Sequence, residues 1–212
     1  MVTYPLYSRT VEEATELQFK IVDSATRHFE GHQVLDLGDL GVVRGTNKPL
    51  QTMRVEQVFA DTFDAEAACL IRGAGTGALR TVLEDNRGKI DAVLVQQARQ
   101  KPDDCYDSCQ VIAMCNELAP GVPVVTDDNY AALKIKKIGC QAGAVLSTFS
   151  CFKILGPEGV GVVIGKKDYV DKVYKMQYSG GSQVQGHEAM AALRGLIYAP
   201  VALAITGRTC HE

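Results

Sequence analysis

The sequence predicts an α/β fold in which layers of helices sandwich a mostly parallel sheet. Short apolar runs alternate along the chain with segments whose apolar residues recur at helical spacing. The runs are continuously apolar, which is typical of strands buried on both faces. Hydrophobic residues make up 46% of the 212 residues, enough to form a continuous core.

Residues 1–49 predict a helix followed by an irregular arm. Thr10 and Glu13 form a capping box, in which each side chain can accept a hydrogen bond from the other residue's backbone N–H. Apolar residues then recur at helical spacing up to Phe29, and Gly31 supplies the stop. The glycine-rich stretch 38–45 shows neither pattern, so we interpret it as an arm that lies on the surface or on a neighbouring subunit.

Residues 50–212 predict one large domain in which strands and helices alternate. A glycine loop at residues 73–77 separates the first strand from a helix through Leu79 and Leu83. The predicted strands are residues 67–71, 92–95, 122–126, 144–146 and 160–164, and the other predicted helices lie near residues 51–63, 108–118, 130–136, 167–176 and 186–204.

Composition and charge argue against several classes of function. The 22 basic residues are interspersed among 25 acidic ones, so no basic stripe is available for nucleic acid. The sequence shows no basic leader and no apolar run of bilayer length, which predicts a cytoplasmic protein without a membrane partner. Seven cysteines form no C-x-x-C pair and four histidines lack ligand spacing, so neither a disulfide framework nor a metal site is expected.

The glycine loop at residues 73–77 is a candidate anion site. It ends a strand and opens a helix, so its N–H groups and the helix dipole can hold a phosphate, with the Thr76 hydroxyl beside them. Gly73, Gly75 and Ala78 also fit the dinucleotide pattern, which leaves a Rossmann-type module as an alternative. That alternative needs an acidic residue after the next strand, but Asp91 precedes that strand.

Asp127 and Lys153 are the candidate catalytic residues. Asp127 follows an apolar strand, so its carboxylate would project at the sheet edge where α/β proteins bind ligands and could keep a pyridine nitrogen protonated. Its alternative role is to cap the next helix, a role that Asp128 or Asn129 could also fill.

Lys153 lies in an apolar stretch beside Phe152, a setting that favours the neutral, nucleophilic amine over the ammonium form. The alternative is a solvated lysine in a connecting loop. Three hydroxyl side chains that precede Lys153 could complete a phosphate site, namely those of Ser147, Thr148 and Ser150.

In combination, these features resemble the fold-type-I pyridoxal 5'-phosphate (PLP) enzymes, the aspartate aminotransferase superfamily. The features are the glycine cup, Asp127 with Tyr130 three residues later, and Lys153 followed by the run Gly-Pro-Glu-Gly-Val-Gly at residues 156–161. The chain is similar in particular to the uncharacterised bacterial YhfS-type proteins of that superfamily, from near Thr3 to near Pro200.

The resemblance implies a PLP site and an amino-acid chemistry. Lys153 would carry the cofactor as an internal aldimine and Asp127 would pair with the pyridine nitrogen. The substrate would be an amino acid or related amine, and the reaction a transamination or a β- or γ-elimination. The phosphate would be held by Gly75, Thr76, Gly77 and Ser150, with Asn129 against the ring face and Tyr130 near the ring hydroxyl. The loop at residues 180–183 is similar to one that approaches the partner subunit's cofactor, which implies a homodimer.

The chain also departs from the family pattern. Thr76 and Asp127 are separated by about half the usual family distance, which predicts an internal deletion near residues 84–91. That block normally includes the side chain that stacks on the pyridine ring. The small C-terminal domain, which often supplies an arginine for the substrate carboxylate, is also expected to be absent. A non-catalytic remnant of such an enzyme is therefore a second alternative.

Overall fold

The computed structural model describes residues 8–39, 41–46, 48–85, 92–98, 106–177 and 182–209. Within these ranges the strands are β1 (Ala67–Arg72), β2 (Val93–Gln96), β3 (Val124–Asp127), β4 (Leu146–Ser150) and β5 (Val160–Gly165). The helices are α1 (Val11–His28), α2 (Leu50–Thr62), α3 (Ala74–Asp85), α4 (Ser108–Leu118), α5 (Lys167–Met176) and α6 (Gly186–Thr209). Short 3-10 helices lie at His32–Leu35, Gly139–Ala142 and Cys151–Ile154.

The five strands form one sheet in the order β1-β5-β4-β3-β2. Strands β2, β3 and β4 are parallel neighbours, whereas β5 pairs antiparallel with both β4 and β1. Four strands therefore point the same way, and the predicted mostly parallel sheet is confirmed. The reversed strand was not predicted. Its cause is the short segment between β4 and β5, since a parallel connection needs a crossover of about a dozen residues or more.

Helices cover both faces of the sheet, as predicted. Helices α1, α2 and α6 pack on one another and bury a core that includes Phe29, Phe59 and Phe149. Helices α3 and α5 cover the other face, where Val82 and Val173 pack against β1 and β5. Because successive side chains of a strand point to opposite faces of the sheet, each buried strand contributes residues to both cores.

Helix α6 is the most apolar of the long helices. An 18-residue window of its 24 residues has a mean hydropathy of 1.6, so by length and composition it could cross a bilayer. The expectation that no apolar run reaches that length is therefore wrong for this segment. Within the fold α6 packs against α1 and α2, and 44% of that window is buried. Core helices of globular proteins have the same composition.

The first helix follows its predicted capping box. The Thr10 hydroxyl accepts from the Glu13 N–H at 3.2 Å, and the Glu13 carboxylate accepts from the Thr10 N–H at 2.9 Å. The arm after it is tied to its own subunit, because the Asp39 carboxylate accepts hydrogen bonds from the N–H groups of Leu50 and Gln51. Asp39 thus caps α2 from a distance.

Three predicted elements differ from the structure. The glycine loop at residues 73–77 is mostly the first turn of α3, which begins at Ala74. The strand predicted at residues 144–146 begins at Leu146 and runs on to Ser150. The helix predicted at residues 130–136 is a series of turns, because Tyr130 and Leu133 adopt positive φ values of 66° and 65° that a right-handed helix cannot include.

Two predictions concern residues that lie largely outside the described ranges. One is the internal deletion near residues 84–91, of which residues 86–91 are not described. The other is the loop at residues 180–183, in which Ser182 and Gln183 are described. Gln183 forms an isolated bridge with Ile71 at the free edge of β1.

Candidate functional site

A cleft of about 450 Å³ opens at the carboxyl edge of the parallel strands. Gln96, Asp127 and Ser150 lie at the ends of β2, β3 and β4, and the start of α3 closes one side. Its lining residues are Ala74, Gly75, Thr76, Gln96, Ala98, Asp127, Asn129, Tyr130, Ser150, Phe152, Lys153, Glu158 and Gly159. The carboxyl edge of a parallel sheet is where α/β proteins bind small ligands.

The start of α3 presents backbone donors to this cleft. Gly73 and Ala74 have φ values of 99° and 55°, which turn the chain sharply from β1 into the helix. Their N–H groups both donate to the Gly159 carbonyl, at 2.7 and 3.1 Å. Among the described residues the N–H groups of Gly75 and Thr76 meet no acceptor. Together with the helix dipole they make the start of α3 a candidate anion site.

Close contacts beside the start of α3 leave room for glycine only at two positions. A Cβ on Gly75 would lie 2.5 Å from the Asn129 side-chain nitrogen, and a Cβ on Gly161 would lie 2.1 Å from the Ala74 carbonyl oxygen. Gly77 has a different position from the one predicted. It does not line the cleft, its N–H donates to the Gly73 carbonyl at 2.7 Å, and an added Cβ would meet the Arg72 carbonyl oxygen at 2.5 Å.

Asp127 is fixed by its neighbour Asn129. The Asp127 Oδ1 atom accepts from the Asn129 backbone N–H at 3.0 Å and from its side-chain amide at 2.8 Å. The Asn129 side-chain oxygen in turn accepts from the Ser150 N–H at 2.9 Å. Asp127 therefore caps a turn rather than a helix. Among the described residues its second oxygen, Oδ2, has no hydrogen-bond donor.

Lys153 meets Tyr130 across the mouth of the cleft. The Lys153 Nζ atom donates to the Tyr130 hydroxyl at 2.8 Å and lies 4.2 Å from the centre of the ring. This hydrogen bond, and secondarily the lysine charge, lower the pKa of the Tyr130 phenol. The predicted apolar setting is wrong in part, because Phe152 is 50% exposed and the amine faces a phenol.

Asp128 lies beneath the site, not in it. The side chain is fully buried and accepts from the Thr126 hydroxyl at 2.5 Å and from the Gly139 N–H at 3.1 Å. Burial raises the pKa of this carboxyl to about 6. The Asp128 carbonyl accepts from two N–H groups of the turn that comes next, so this residue holds the turn that presents Tyr130.

Of the three hydroxyl side chains that precede Lys153, Ser150 alone lines the cleft. Ser147 and Thr148 are fully buried beside Thr126, where Ser147 also accepts from the Cys140 N–H at 2.8 Å. Their predicted contribution to a phosphate site is therefore wrong, since neither side chain reaches the cleft.

Gln96 and Ala98 line the cleft but carried no predicted role, and Phe152 and Glu158 were predicted only as neighbours of Lys153 in the sequence. Gln96 ends β2 as Asp127 ends β3, and the two are Cα partners in the sheet. The rule that located Asp127 would have located Gln96 as well. Glu158 lies within the Gly-Pro-Glu-Gly run, where its neighbour Gly159 accepts the hydrogen bonds from the start of α3.

Comparison with known proteins places these residues in a family. A model of the aminotransferase class-V family matches residues 104–194. The chain is 43% identical over 250 residues to the uncharacterised protein YhfS of Escherichia coli, a match that covers 97% of this chain and 69% of that protein. The crystal structure of the pyridoxal-5'-phosphate-dependent protein YhfS superimposes with a TM-score of 0.91 at 42% identity, over 98% of this chain and 70% of that one.

The chain belongs to the YhfS family of PLP-dependent proteins. The resemblance inferred from the sequence is confirmed, and so are the fold and the cofactor. More distant structures share the fold alone. A putative cystathionine beta-lyase from Listeria innocua is 17% identical with a TM-score of 0.68, over 92% of this chain and 65% of that one. The apo methionine gamma lyase CalE6 from Micromonospora echinospora is 16% identical with a TM-score of 0.68, over 87% and 66%.

The cleft of this YhfS-family chain fits PLP in its donor set. An anionic phosphate needs unpaired N–H donors, which Gly75 and Thr76 supply at the start of α3. A protonated pyridine nitrogen needs an unpaired carboxylate oxygen, which Asp127 supplies. An aldehyde needs a primary amine within the same cleft, which Lys153 supplies.

Proposed function

We propose that this protein is a PLP-dependent enzyme that acts on an amino acid or a related amine, as an aminotransferase or as a β- or γ-lyase. One observation carries the proposal: Lys153, Asp127 and the open start of α3 line a single cleft. The cofactor, when bound, supplies an electron sink that stabilises negative charge on the substrate carbon next to the amino group.

In this proposal Lys153 is the covalent carrier of the cofactor and then the base. Lys153 lines the cleft, where its Nζ atom would hold the cofactor and an incoming substrate amine could reach it. The Lys153 amine, once free, would remove the proton from the substrate's α-carbon. Tyr130 positions that amine, because its hydroxyl is 2.8 Å from Nζ and can accept the hydrogen bond that fixes the direction of the lysine.

Asp127 holds a proton on the cofactor's ring nitrogen through its Oδ2 atom, while Asn129 orients the carboxylate through Oδ1. The two hydrogen bonds from Asn129 fix the direction of the carboxylate. The anion site comprises Gly75, Thr76 and Ser150. Gly77 supports it by keeping the start of α3 close to the end of β1.

Transamination and elimination are both compatible with this site, because both reactions use these groups in the same way. Two distant relatives bear lyase names, and the family model bears an aminotransferase name. Both reactions release a 2-oxo acid, but elimination also releases ammonia and the substrate's β- or γ-substituent, whereas transamination retains the amino group on the cofactor and releases no ammonia. Incubation with a panel of amino acids, with measurement of both products, decides between them.

We further propose that the enzyme is a cytoplasmic homodimer. Three large apolar side chains at or beside the cleft mouth are about half-exposed: Tyr130 at 58%, Phe152 at 50% and Leu155 at 48%. Such exposure is expected where a second subunit covers the site. Sedimentation equilibrium should give twice the chain mass of 22.9 kDa, and a monomer at micromolar concentration would contradict this part of the proposal.

Titration with PLP tests the proposed function. The wild-type protein should develop the absorbance band of the lysine-bound cofactor, and borohydride reduction followed by peptide mass spectrometry should locate the cofactor on Lys153. Lys153→Ala should abolish the band. Lys137→Ala is the matched control, because Lys137 is exposed and lies outside the cleft. Absence of the band from the wild-type protein at saturating PLP would sink the proposal.

A second candidate function is a PLP-binding remnant without turnover. The short separation of Thr76 from Asp127 favours it. So does the alignment with YhfS, which extends over 250 residues and is therefore longer than the 212 residues of this chain. Bound cofactor with no product from any amino acid would favour this remnant. The deletion near residues 84–91 and the domain limits of 1–49 and 50–212 remain proposals.

A further inference from the structure

A second lysine, Lys134, lies close to the candidate site. Lys134 is half-buried, and its Nζ atom lies 5.6 Å from the centre of the Tyr130 ring. Lys153 lies 4.2 Å from the same ring centre, so the two Nζ atoms are no further apart than the sum of these distances. Among the described residues no carboxylate forms an ion pair with Lys134.

Lys134 also lines a second cavity, of about 570 Å³. Its walls come from the chain before α1, from the turn after Tyr130 and from the end of α6; they comprise Ser8, Arg9, Thr10, Val11, Glu12, Leu133, Lys134, Leu203, Ala204, Gly207 and Arg208. Three of these side chains are basic and one is acidic, so the lining carries a positive excess. Arg208 has interactions of its own, which leaves Arg9 and Lys134 as the basic groups of interest.

The backbone fixes Lys134 in this place. The Lys134 carbonyl accepts from the Arg9 N–H at 2.9 Å, and Ser8 forms a bridge with Ile135. Lys134 comes directly after Leu133, whose positive φ turns the chain. The Arg9 guanidinium donates to the Lys136 carbonyl at 2.9 Å, while its buried Nε–H has no acceptor among the described residues. These hydrogen bonds therefore fix the segment, and it retains N–H donors that can bind a ligand.

The electrostatics favour an anion close to both lysines. Burial, and then the charge of Lys153, lower the pKa of Lys134. Two positive groups thus lie near the ring of one tyrosine in a partly desolvated place, and among the described residues neither forms an ion pair with a carboxylate. A carboxylate placed there would be attracted by both groups and would form a charge-assisted hydrogen bond with one of them.

We propose that Lys134 binds the carboxylate group of the amino-acid substrate and so determines that the substrate is an amino acid and not a simple amine. This inference rests on the proposed function, because it takes the reacting amine to be at Lys153. The substrate's amino group would lie on the Lys153 side of Tyr130 and its carboxylate on the Lys134 side. Lys134 would then be a specificity residue supplied by the turn after Asp127.

The test compares two ligands that differ by one carboxylate. In 2-methylalanine the carbon next to the amino group has no hydrogen, so neither elimination nor transamination by removal of an α-proton can follow binding. In tert-butylamine a methyl group takes the place of the carboxylate, and the same carbon again has no hydrogen. Each ligand is titrated into the PLP-loaded protein, and its Kd is read from the spectral change as the amine displaces Lys153. The wild-type protein should prefer 2-methylalanine.

Lys134→Gln should weaken 2-methylalanine binding by about tenfold or more, the effect of losing one charge-assisted hydrogen bond, and leave the Kd for tert-butylamine within about twofold. Lys134→Arg keeps the charge and should retain the preference. Lys137→Gln, an exposed lysine on the same segment that lines neither cavity, should match the wild type.

The outcomes separate the two proposals. If the wild-type protein forms no lysine-bound cofactor, the proposed function fails and this inference fails with it. If the cofactor binds but the wild type shows no preference between the ligands, or if Lys134→Gln leaves the preference intact, the assignment of Lys134 is overturned while the proposed function stands. Should Lys134→Gln not fold, Lys134→Met is titrated in its place, and equal loss of affinity for both ligands would overturn the assignment.

Discussion

The carboxylate of Asp127 accepts two hydrogen bonds from a single residue, Asn129. Asn129 then accepts a hydrogen bond from the Ser150 N–H with its side-chain oxygen, and its side-chain nitrogen lies 2.5 Å from where a Cβ on Gly75 would be. One carboxamide therefore connects the end of β3, the end of β4 and the start of α3. These are the three parts of the chain that the proposed cofactor site requires.

The first prediction concerns this connection. Asn129→Ala should weaken PLP binding by about tenfold, because Asp127 loses one hydrogen bond, the Ser150 N–H loses its acceptor and the start of α3 loses a neighbour. The Kd for PLP, measured by fluorescence or absorbance titration, checks this. Gln110→Ala, at an exposed position on α4, is the control. Unchanged affinity in Asn129→Ala would show that Asp127 needs no such support.

A second prediction concerns Tyr130. Its phenol should ionise below the usual range, because the hydrogen bond from Lys153 and the lysine charge lower the pKa of Tyr130. Lys153→Ala removes both causes and should raise the pKa of this phenol. Ultraviolet titration of the cofactor-free protein, with Tyr130→Phe subtracted to isolate the one tyrosine, measures the shift. Equal values with and without Lys153 would contradict the observed contact.

A third prediction links Asp128 to pH. Its pKa is raised from 3.8 to about 6 in the fold, so its contribution to stability is fully present below about pH 4 and is lost as the pH rises through 6. About two pKa units correspond to an upper bound of about 3 kcal/mol.

Asp128→Asn cannot ionise, so its free energy of unfolding should lack this loss between pH 4 and pH 7. Urea unfolding of both proteins across that range gives the difference. A constant difference at every pH would mean that Asp128 has the same pKa in the folded and unfolded chains.

Much of this architecture was predictable because it depends on local rules. The capping box at Thr10 and the carboxyl-edge position of Asp127 need only nearby residues and the strand direction. The start of β1 and both bounds of α5 were placed correctly for the same reason. The reversed direction of β5 could have been inferred from its short connection to β4.

Other features depend on contacts that a sequence does not display. The turns after Asp128 replace a predicted helix because Tyr130 and Leu133 adopt positive φ, and neither is a glycine that would have marked the turn. The partner of Lys153 is fixed by that same turn, so its phenolic setting could not be predicted. The same turn brings Lys134 near the Tyr130 ring, which explains why the sequence pattern did not single it out.

A fourth prediction concerns the buried ion pair that anchors the arm. Lys48 is 1% exposed; its Nζ atom lies 2.5 Å from Glu56 Oε1 and 3.3 Å from the Cys69 sulfur. Lys48→Met leaves Glu56 buried without its partner and should cost about 3–5 kcal/mol of stability. Lys48→Met combined with Glu56→Gln removes both charges and keeps an acceptor for the Leu70 N–H, so it should be more stable than the single variant. Urea unfolding measures both, and a double variant less stable than the single one would refute the explanation.

The last prediction tests whether the start of α3 is set by strand β5. A Cβ on Gly161 would lie 2.1 Å from the Ala74 carbonyl oxygen, a distance that no rotamer can relieve. Gly161→Ala should therefore displace the first turn of α3, with its N–H groups, and weaken PLP binding by about tenfold or more even where the protein still folds. Gly207→Ala is the matched control, because a Cβ there meets nothing within 4 Å and alanine favours the helix. Cofactor titration and thermal unfolding of the two variants give the comparison. Equal affinity in Gly161→Ala and the wild type would mean that the first turn of α3 is not part of the cofactor site.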